Sequence, residues 1–218
     1  MPPPAPSLRA RVTTRLFRET LDRVVPDSIY VARRTLTAPR VALTLDDGPD
    51  DLTEAYLTLF DKYDVKATFC VIGKLAAERP KEIQSMLAHG HQVISHGYTH
   101  TVFPKLSRDG LSRELSLTSS LLAPEDQRYV RPPQGAMNLR SLVRLGLLGY
   151  SVVHWSLDSD DCRTEDPARV AKRIESSRPG EIVLLHEGQK WTLEALERAL
   201  PAMKARGYTF VTVRDLLQ

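Results

Sequence analysis

Past residue 40 the chain alternates short apolar, β-branched runs with longer stretches whose apolar positions recur at helical spacing, the pattern of repeated β-α units. It predicts strands at Val41–Leu45, Ala67–Ile72, Gln92–Ser95, Tyr129–Val130, Ser151–Trp155, Ile182–Leu185 and Phe210–Val213. Helices are predicted near Asp51–Tyr63, Pro80–His89, Arg108–Leu122, Asn138–Leu148, Asp166–Ser177 and Trp191–Arg206, with Gly90, Gly149 and Gly207 placed to end three of them. Roughly seven parallel strands with outer helices make an α/β chain, either a closed or incomplete barrel or an open doubly wound sheet. In both, a functional site lies at the C-terminal ends of the strands.

The start reads differently. Met1-Pro2-Pro3-Pro4-Ala5-Pro6 is expected to be extended and disordered, because successive prolines fix φ and donate no hydrogen bonds. Leu8 to Val25 reads as a basic amphipathic helix with Val12, Leu16, Leu21 and Val25 on one side, and packing on the protein surface is favoured over membrane binding. Arg9, Arg11, Arg15 and Arg18 interrupt every apolar stretch there, so no secretory or membrane-spanning segment fits, and a cytoplasmic protein, or one trimmed of its leader, is expected. Residues 1–37 are therefore read as an extension and 38–218 as one catalytic domain.

With 218 residues, 42% of them hydrophobic, the chain can build a sizeable core. Its net charge of +3 is spread through mixed-sign surface positions rather than massed, so no nucleic-acid partner is expected. Cys70 and Cys162 stand far apart without the spacing of a zinc knuckle or a redox pair, and a disulfide is not expected.

The chemistry is suggested by where polar residues fall. Asp46-Asp47, His96 and His100, Arg131, Asp158 and His186 each sit at or just past a predicted strand end, so five strands deliver polar groups to one mouth. Adjacent carboxylates at a strand tip repel each other and cost desolvation, which a metal or a proton-transfer task offsets. His96 and His100, four apart, share one face of a following turn and can grip a metal with one Asp, leaving positions open for water and substrate. Zinc is the default ion, although Co, Ni, Mn or Fe also suit an Asp-His-His donor set. The other aspartate is then free to act as a base, and His186, delivered by the apolar run Ile182-Val183-Leu184-Leu185, is the candidate acid.

These segments, in this order, resemble the polysaccharide deacetylase family (NodB homology domain, carbohydrate esterase family 4) over roughly residues 38 to 215. The resemblance implies an irregular (β/α) barrel, with Asp46 as general base and Asp47, His96 and His100 as metal ligands. It further implies that Arg131, in Arg131-Pro132-Pro133-Gln134-Gly135, contacts Asp46 and that the backbone N–H of Gln134 binds the oxyanion. Asp158 is matched to the acid that orients Arg131, Leu184 to the acyl pocket and His186 to the acid for the leaving amine. The activity implied is removal of an N-acyl group, foremost the acetyl of an amino sugar or oligosaccharide, without a nucleic-acid partner or transmembrane segment. Three departures stand out: Gly97 replaces a Ser or Thr that would brace the metal loop, Gln134 replaces an aromatic, and Cys162 stands where a groove-wall Trp is common. These leave open an amidase or deformylase acting on a small N-acyl metabolite, and an inactive glycan-binding homologue.

Overall fold

The computed structural model describes residues 20, 21 and 24–218, so the Pro-rich start and nearly all of the Leu8–Val25 segment lie outside the described residues. In chain order the strands are β1 (Tyr30–Val31), β2 (Arg40–Asp46), β3 (Thr68–Val71), β4 (Gln92–Ser95), β5 (Tyr129–Val130), β6 (Ser151–Val153), β7 (Leu157–Asp158), β8 (Ile182–His186) and β9 (Thr209–Phe210). The helices are α1 (Thr53–Lys62), α2 (Gly73–Glu78), α3 (Pro80–Ala88), α4 (Arg108–Ser119), α5 (Leu139–Leu147), α6 (Pro167–Glu175), α7 (Lys190–Ala205) and α8 (Val213–Leu216).

All ladders between these strands are parallel, in the order β1-β6-β5-β4-β3-β2-β8-β7, with β9 pairing the start of β2. Among the described residues no ladder returns from β7 to β1, and a single antiparallel bridge from Arg33 to Glu181 lies near the gap. The sheet is thus a curled, incomplete barrel of β-α units.

Period-two alternation explains how this sheet carries chemistry inside and a core outside. On β2, Val41, Leu43 and Leu45 join Tyr56 and Phe60 of α1 and Leu196 and Leu200 of α7 in the main hydrophobic cluster between sheet and helices. Each such side chain, fully buried, contributes roughly 1.5–3 kcal/mol. The intervening Ala42 faces the other way and packs with Cys70, Ile94, Val153 and Ile182 in a second, inner cluster. Continued along the strands, that inner face passes from Ala42 through Thr44 to Asp46, from Ile94 to His96, from Tyr129 to Arg131, and from Ile182 through Leu184 to His186. The same alternation that fills the barrel floor with aliphatic side chains therefore crowns it with ionisable ones.

Helix ends follow the expected punctuation. Gly90, Gly149 and Gly207 adopt φ of 77°, 78° and 81° just past α3, α5 and α7. Ser107, Asn138 and Asp166 cap α4, α5 and α6, the last followed by Pro167 at the first helical position. Two expectations need correction. The run Phe210–Val213 is not one strand: β9 ends at Phe210, and the Thr212 hydroxyl accepts the Asp215 N–H and starts α8 at Val213. Residues 30–31, placed in an extension by the sequence pattern, form β1 beside β6 and belong to the sheet.

Candidate active site

β2 ends in Asp46, which lies opposite His186 of β8 and Cys70 of β3 in the sheet register. Its Oδ1 receives Arg131 Nη1 at 2.7 Å, and both side chains are almost wholly buried. Burial alone would raise the Asp46 pKa, but the positive charge of Arg131, with His96 and His186, outweighs it and holds the carboxyl below its ordinary value. Arg131 is 0% exposed, and its remaining donors reach the Thr44 hydroxyl and the Val153 and His154 carbonyls at 2.7–3.2 Å. The Trp155 ring lies 5.5 Å from its guanidinium carbon. Fixed on so many sides, Arg131 keeps Asp46 both ionised and in place.

The chain turns sharply after Asp46. Asp47 adopts φ 75°, and its carboxylate and that of Asp46 both come within 3.7 Å of His96 Nε2. Asp47 Oδ1 sits 3.5 Å from His96 Nε2 and 3.2 Å from His100 Nε2, and this atom is shielded from water and accepts no hydrogen bond among the described residues. His96 Nδ1 lies 2.9 Å from the Arg131 carbonyl, which can only accept, so Nδ1 carries the proton and the Nε2 lone pair faces Asp47. Burial lowers the His96 pKa, outweighing the opposing charges of Asp46 and Asp47, and keeps the ring neutral. An orphaned carboxylate oxygen facing the unprotonated Nε2 of His96, with His100 Nε2 beside it, fits a divalent cation, and Asp47, His96 and His100 form a group able to hold one.

The loop between the two histidines is braced by a residue that the sequence pattern did not single out. Glu114 of α4 accepts the Tyr98 and Thr99 N–H groups at 2.7 and 2.8 Å and the Thr99 hydroxyl at 2.7 Å. Gly97 has φ 80°, a conformation that favours glycine, and its N–H reaches the Ser95 hydroxyl at 3.2 Å. The brace that a side chain at position 97 would provide is thus supplied from Ser95 and Glu114.

The expectation for Asp158 is corrected by the geometry. Its carboxylate accepts Arg163 Nη1 and the Asp160 N–H, both at 2.9 Å, whereas Arg131 is satisfied by the partners named above. The acid that matters lies three residues on. Asp161 is 0% exposed; its Oδ1 lies 2.8 Å from His186 Nδ1, and its Oδ2 accepts the His186 N–H at 2.7 Å and the Thr192 hydroxyl at 3.0 Å. Trp191 Nε1 donates to the Asp161 carbonyl at 2.8 Å, so Trp191 steadies the turn. Burial disfavours the charged His186 ring, but its hydrogen bond to Asp161 and the charges of Asp161, Asp46 and Asp47 prevail and raise its pKa to about 9. His186 is therefore the protonated group facing an ionised Asp46.

Gln134 is exposed at the rim with φ 57°, in the short 3-10 turn Pro133–Gly135, and Leu184 is 4% exposed on the inner face of β8 opposite Thr44 and Asp158. Glu187, next after His186, is buried behind Gly48. Its Oε2 accepts the Thr53 hydroxyl at 2.6 Å, its Oε1 has no partner among the described residues, and burial pushes its pKa to about 8. A Cβ on Gly48 would fall 2.2 Å from that oxygen, so glycine is what lets the Asp46-Asp47 turn close over Glu187.

The sequence profile described as polysaccharide deacetylase matches residues 33–153, more than half of the chain. The chain belongs to the polysaccharide deacetylase family. It is 35% identical over 197 residues to a chitooligosaccharide deacetylase of Sinorhizobium fredii, covering 82% of this chain and 92% of that protein. It is also 32% identical over 201 residues to a peptidoglycan-N-acetylglucosamine deacetylase of Listeria monocytogenes, covering 89% of this chain but only 42% of that protein. Among solved structures, a peptidoglycan N-acetylglucosamine deacetylase superimposes with a TM-score of 0.81 at 27% identity, covering 86% of this chain and 92% of its own. Among the described residues no helix is long and apolar enough to cross a membrane.

Proposed function

We propose that this chain is a metal-dependent N-deacetylase that removes the acetyl group from an N-acetylated amino sugar or oligosaccharide. The observation that carries the reading is the opposition, in register across β2 and β8, of an Asp46 held ionised by Arg131 and a His186 held protonated by Asp161, beside the Asp47-His96-His100 group. Asp47, His96 and His100 would hold a divalent metal, zinc being the default, which supplies Lewis-acid polarisation of the amide oxygen and acidifies a water.

Asp46 takes the proton of the attacking water, and Arg131 keeps it from being neutralised beforehand. The backbone N–H of Gln134, at the rim, stabilises the developing oxyanion. Leu184 lines the space for the acetyl methyl group. His186 gives its Nε2 proton to the departing amine while Asp161 holds Nδ1 and fixes the ring. Support for a sugar substrate comes from the names borne by both curated relatives.

A smaller N-acyl substrate is the second reading, favoured by the exposed Gln134 and Cys162 at rim positions where the family resemblance expects aromatic side chains. Acetate release from N-acetylglucosamine oligomers of increasing length, measured together with metal content, tests both. Metal-dependent release that grows with length supports the glycan reading. Bound metal with release only from small N-acyl amides supports the second, and a metal-loaded chain that releases neither overturns both.

A further inference from the structure

Cys162 lies in the site without a part in the hydrolytic scheme. It follows Asp161 in the turn after β7, with its thiol exposed. Its Sγ, a carboxylate oxygen of Asp161 and a ring nitrogen of His186 all lie within 4.8 Å of one another. Thiolate, imidazole and carboxylate are the donors that zinc and its softer congeners select. Donors around a tetrahedral zinc stand about 3.5 Å apart, given bonds of roughly 2.0–2.3 Å. Closing this triad needs about an ångström of movement, within the swing of an exposed cysteine side chain about χ1. The other two donors are already held. Thr192 and the His186 N–H fix Asp161 Oδ2, and Trp191 fixes the Asp161 carbonyl, the kind of outer bracing that orients ligands in metal sites.

The geometry points to a second metal site in this chain, made of Asp161, Cys162 and His186, that takes a thiophilic divalent ion such as zinc or cadmium. It is distinct from the Asp47-His96-His100 group, which contains no sulfur. Binding releases the thiol proton of Cys162 and leaves His186 neutral, its lost proton also going to solvent. Since the ring that would protonate the leaving amine is then occupied, filling this site inhibits the hydrolase. That consequence rests on the function proposed above, whereas the binding itself does not.

Cadmium titration of the full chain, followed by bound stoichiometry and by the ultraviolet thiolate-to-cadmium charge-transfer band, tests the binding without reference to turnover. Two equivalents are expected, with the band arising from one of them. Cys162→Ser should lose the band and one equivalent. Asp47→Ala should lose the other equivalent and keep the band. Cys70→Ala, at a thiol buried in the inner cluster, should change neither. A wild-type titration without the band, or Cys162→Ser with band and stoichiometry intact, overturns the proposal. If acetate release is also measured, excess zinc should inhibit the wild type, and the inhibitory midpoint should rise at least tenfold in Cys162→Ser. Absence of any hydrolysis would count against the proposed function and leave the cadmium results to decide the site.

Discussion

Replacing Asp161 by Asn separates the electrostatic part of the site from its shape. In the wild type, Asp161 holds the His186 pKa at about 9, against an ordinary value near 6.5. The difference, roughly 2.5 units at 1.36 kcal/mol each, amounts to about 3 kcal/mol favouring the charged ring. Asn brings one acceptor to a place where the His186 N–H and the Thr192 hydroxyl both need one, so its amide NH2 turns toward His186 Nδ1. A donor there opposes the charged ring, and burial lowers the pKa further. At pH 7.5 the protonated fraction should fall from about 97% to 9% or less, a loss of roughly tenfold in competent enzyme that acidification to pH 6 partly restores. Stability moves with it. The His186 contribution, fully present below pH 6.5 and lost as pH rises through about 9 in the wild type, should vanish in the variant. The assay is a ring-proton NMR titration of His186 in both proteins beside the pH-rate profile. An unchanged His186 midpoint in Asp161→Asn would refute the argument, whatever the rate did.

Three further outcomes follow from the same geometry. Asp46→Asn should lower turnover by about 10²- to 10⁴-fold while metal content, measured by elemental analysis, stays at the wild-type level; unchanged turnover would rule Asp46 out as the base. Asp47→Ala and His100→Ala should each lower metal occupancy at equal added metal, and full occupancy in either would remove that residue from the ligand set. Glu187 is held at a pKa of about 8, so in the wild type stability should decline as pH rises from near 4.5, where the unfolded carboxyl ionises, to about 8, by at most roughly 5 kcal/mol. Glu187→Gln removes that slope, and its melting temperature should gain on the wild type between pH 5 and pH 8.5; a gap independent of pH would contradict the buried neutral carboxyl.

The long elements were legible because their periods were long enough to count. Strand β2 is seven residues long and built on the run Val41–Leu45, and the helices from α3 to α7 carry caps and stop signals at nearly the expected residues. Strands β1 and β7 span two residues each, too short for any periodicity, and α2 and α8 are single turns or little more. The inner-facing register of Asp46, His96, Arg131 and His186 follows from alternation along strands that the sequence announces. The choice between Asp158 and Asp161 does not, because Asp160 has φ 63° and reverses the chain between them, so that acids three apart face different partners. Glu114 was invisible for another reason. It lies on a helix 15 and 16 residues from the backbone groups it holds, and nothing local marks a helical glutamate as the anchor of a histidine loop.

Why the fold tolerates so many acids at one mouth has an electrostatic answer that also constrains the reaction. In formal charges, Asp46, Asp47 and Asp161 face Arg131 and a protonated His186, leaving one negative charge in excess around a partly desolvated cavity. A divalent cation held by Asp47, His96 and His100 would convert that excess into one positive charge. Such a site would disfavour an additional anion when metal-free, and a metal held there would supply charge that favours one, beside the Gln134 N–H. Glu187 fits this balance because it is buried uncharged behind Gly48; ionised, it would cancel the gain. The distribution of charge therefore requires Glu187 to stay uncharged while Asp46 is ionised. The structure achieves this by giving Asp46 a buried arginine and by burying Glu187 against a threonine hydroxyl.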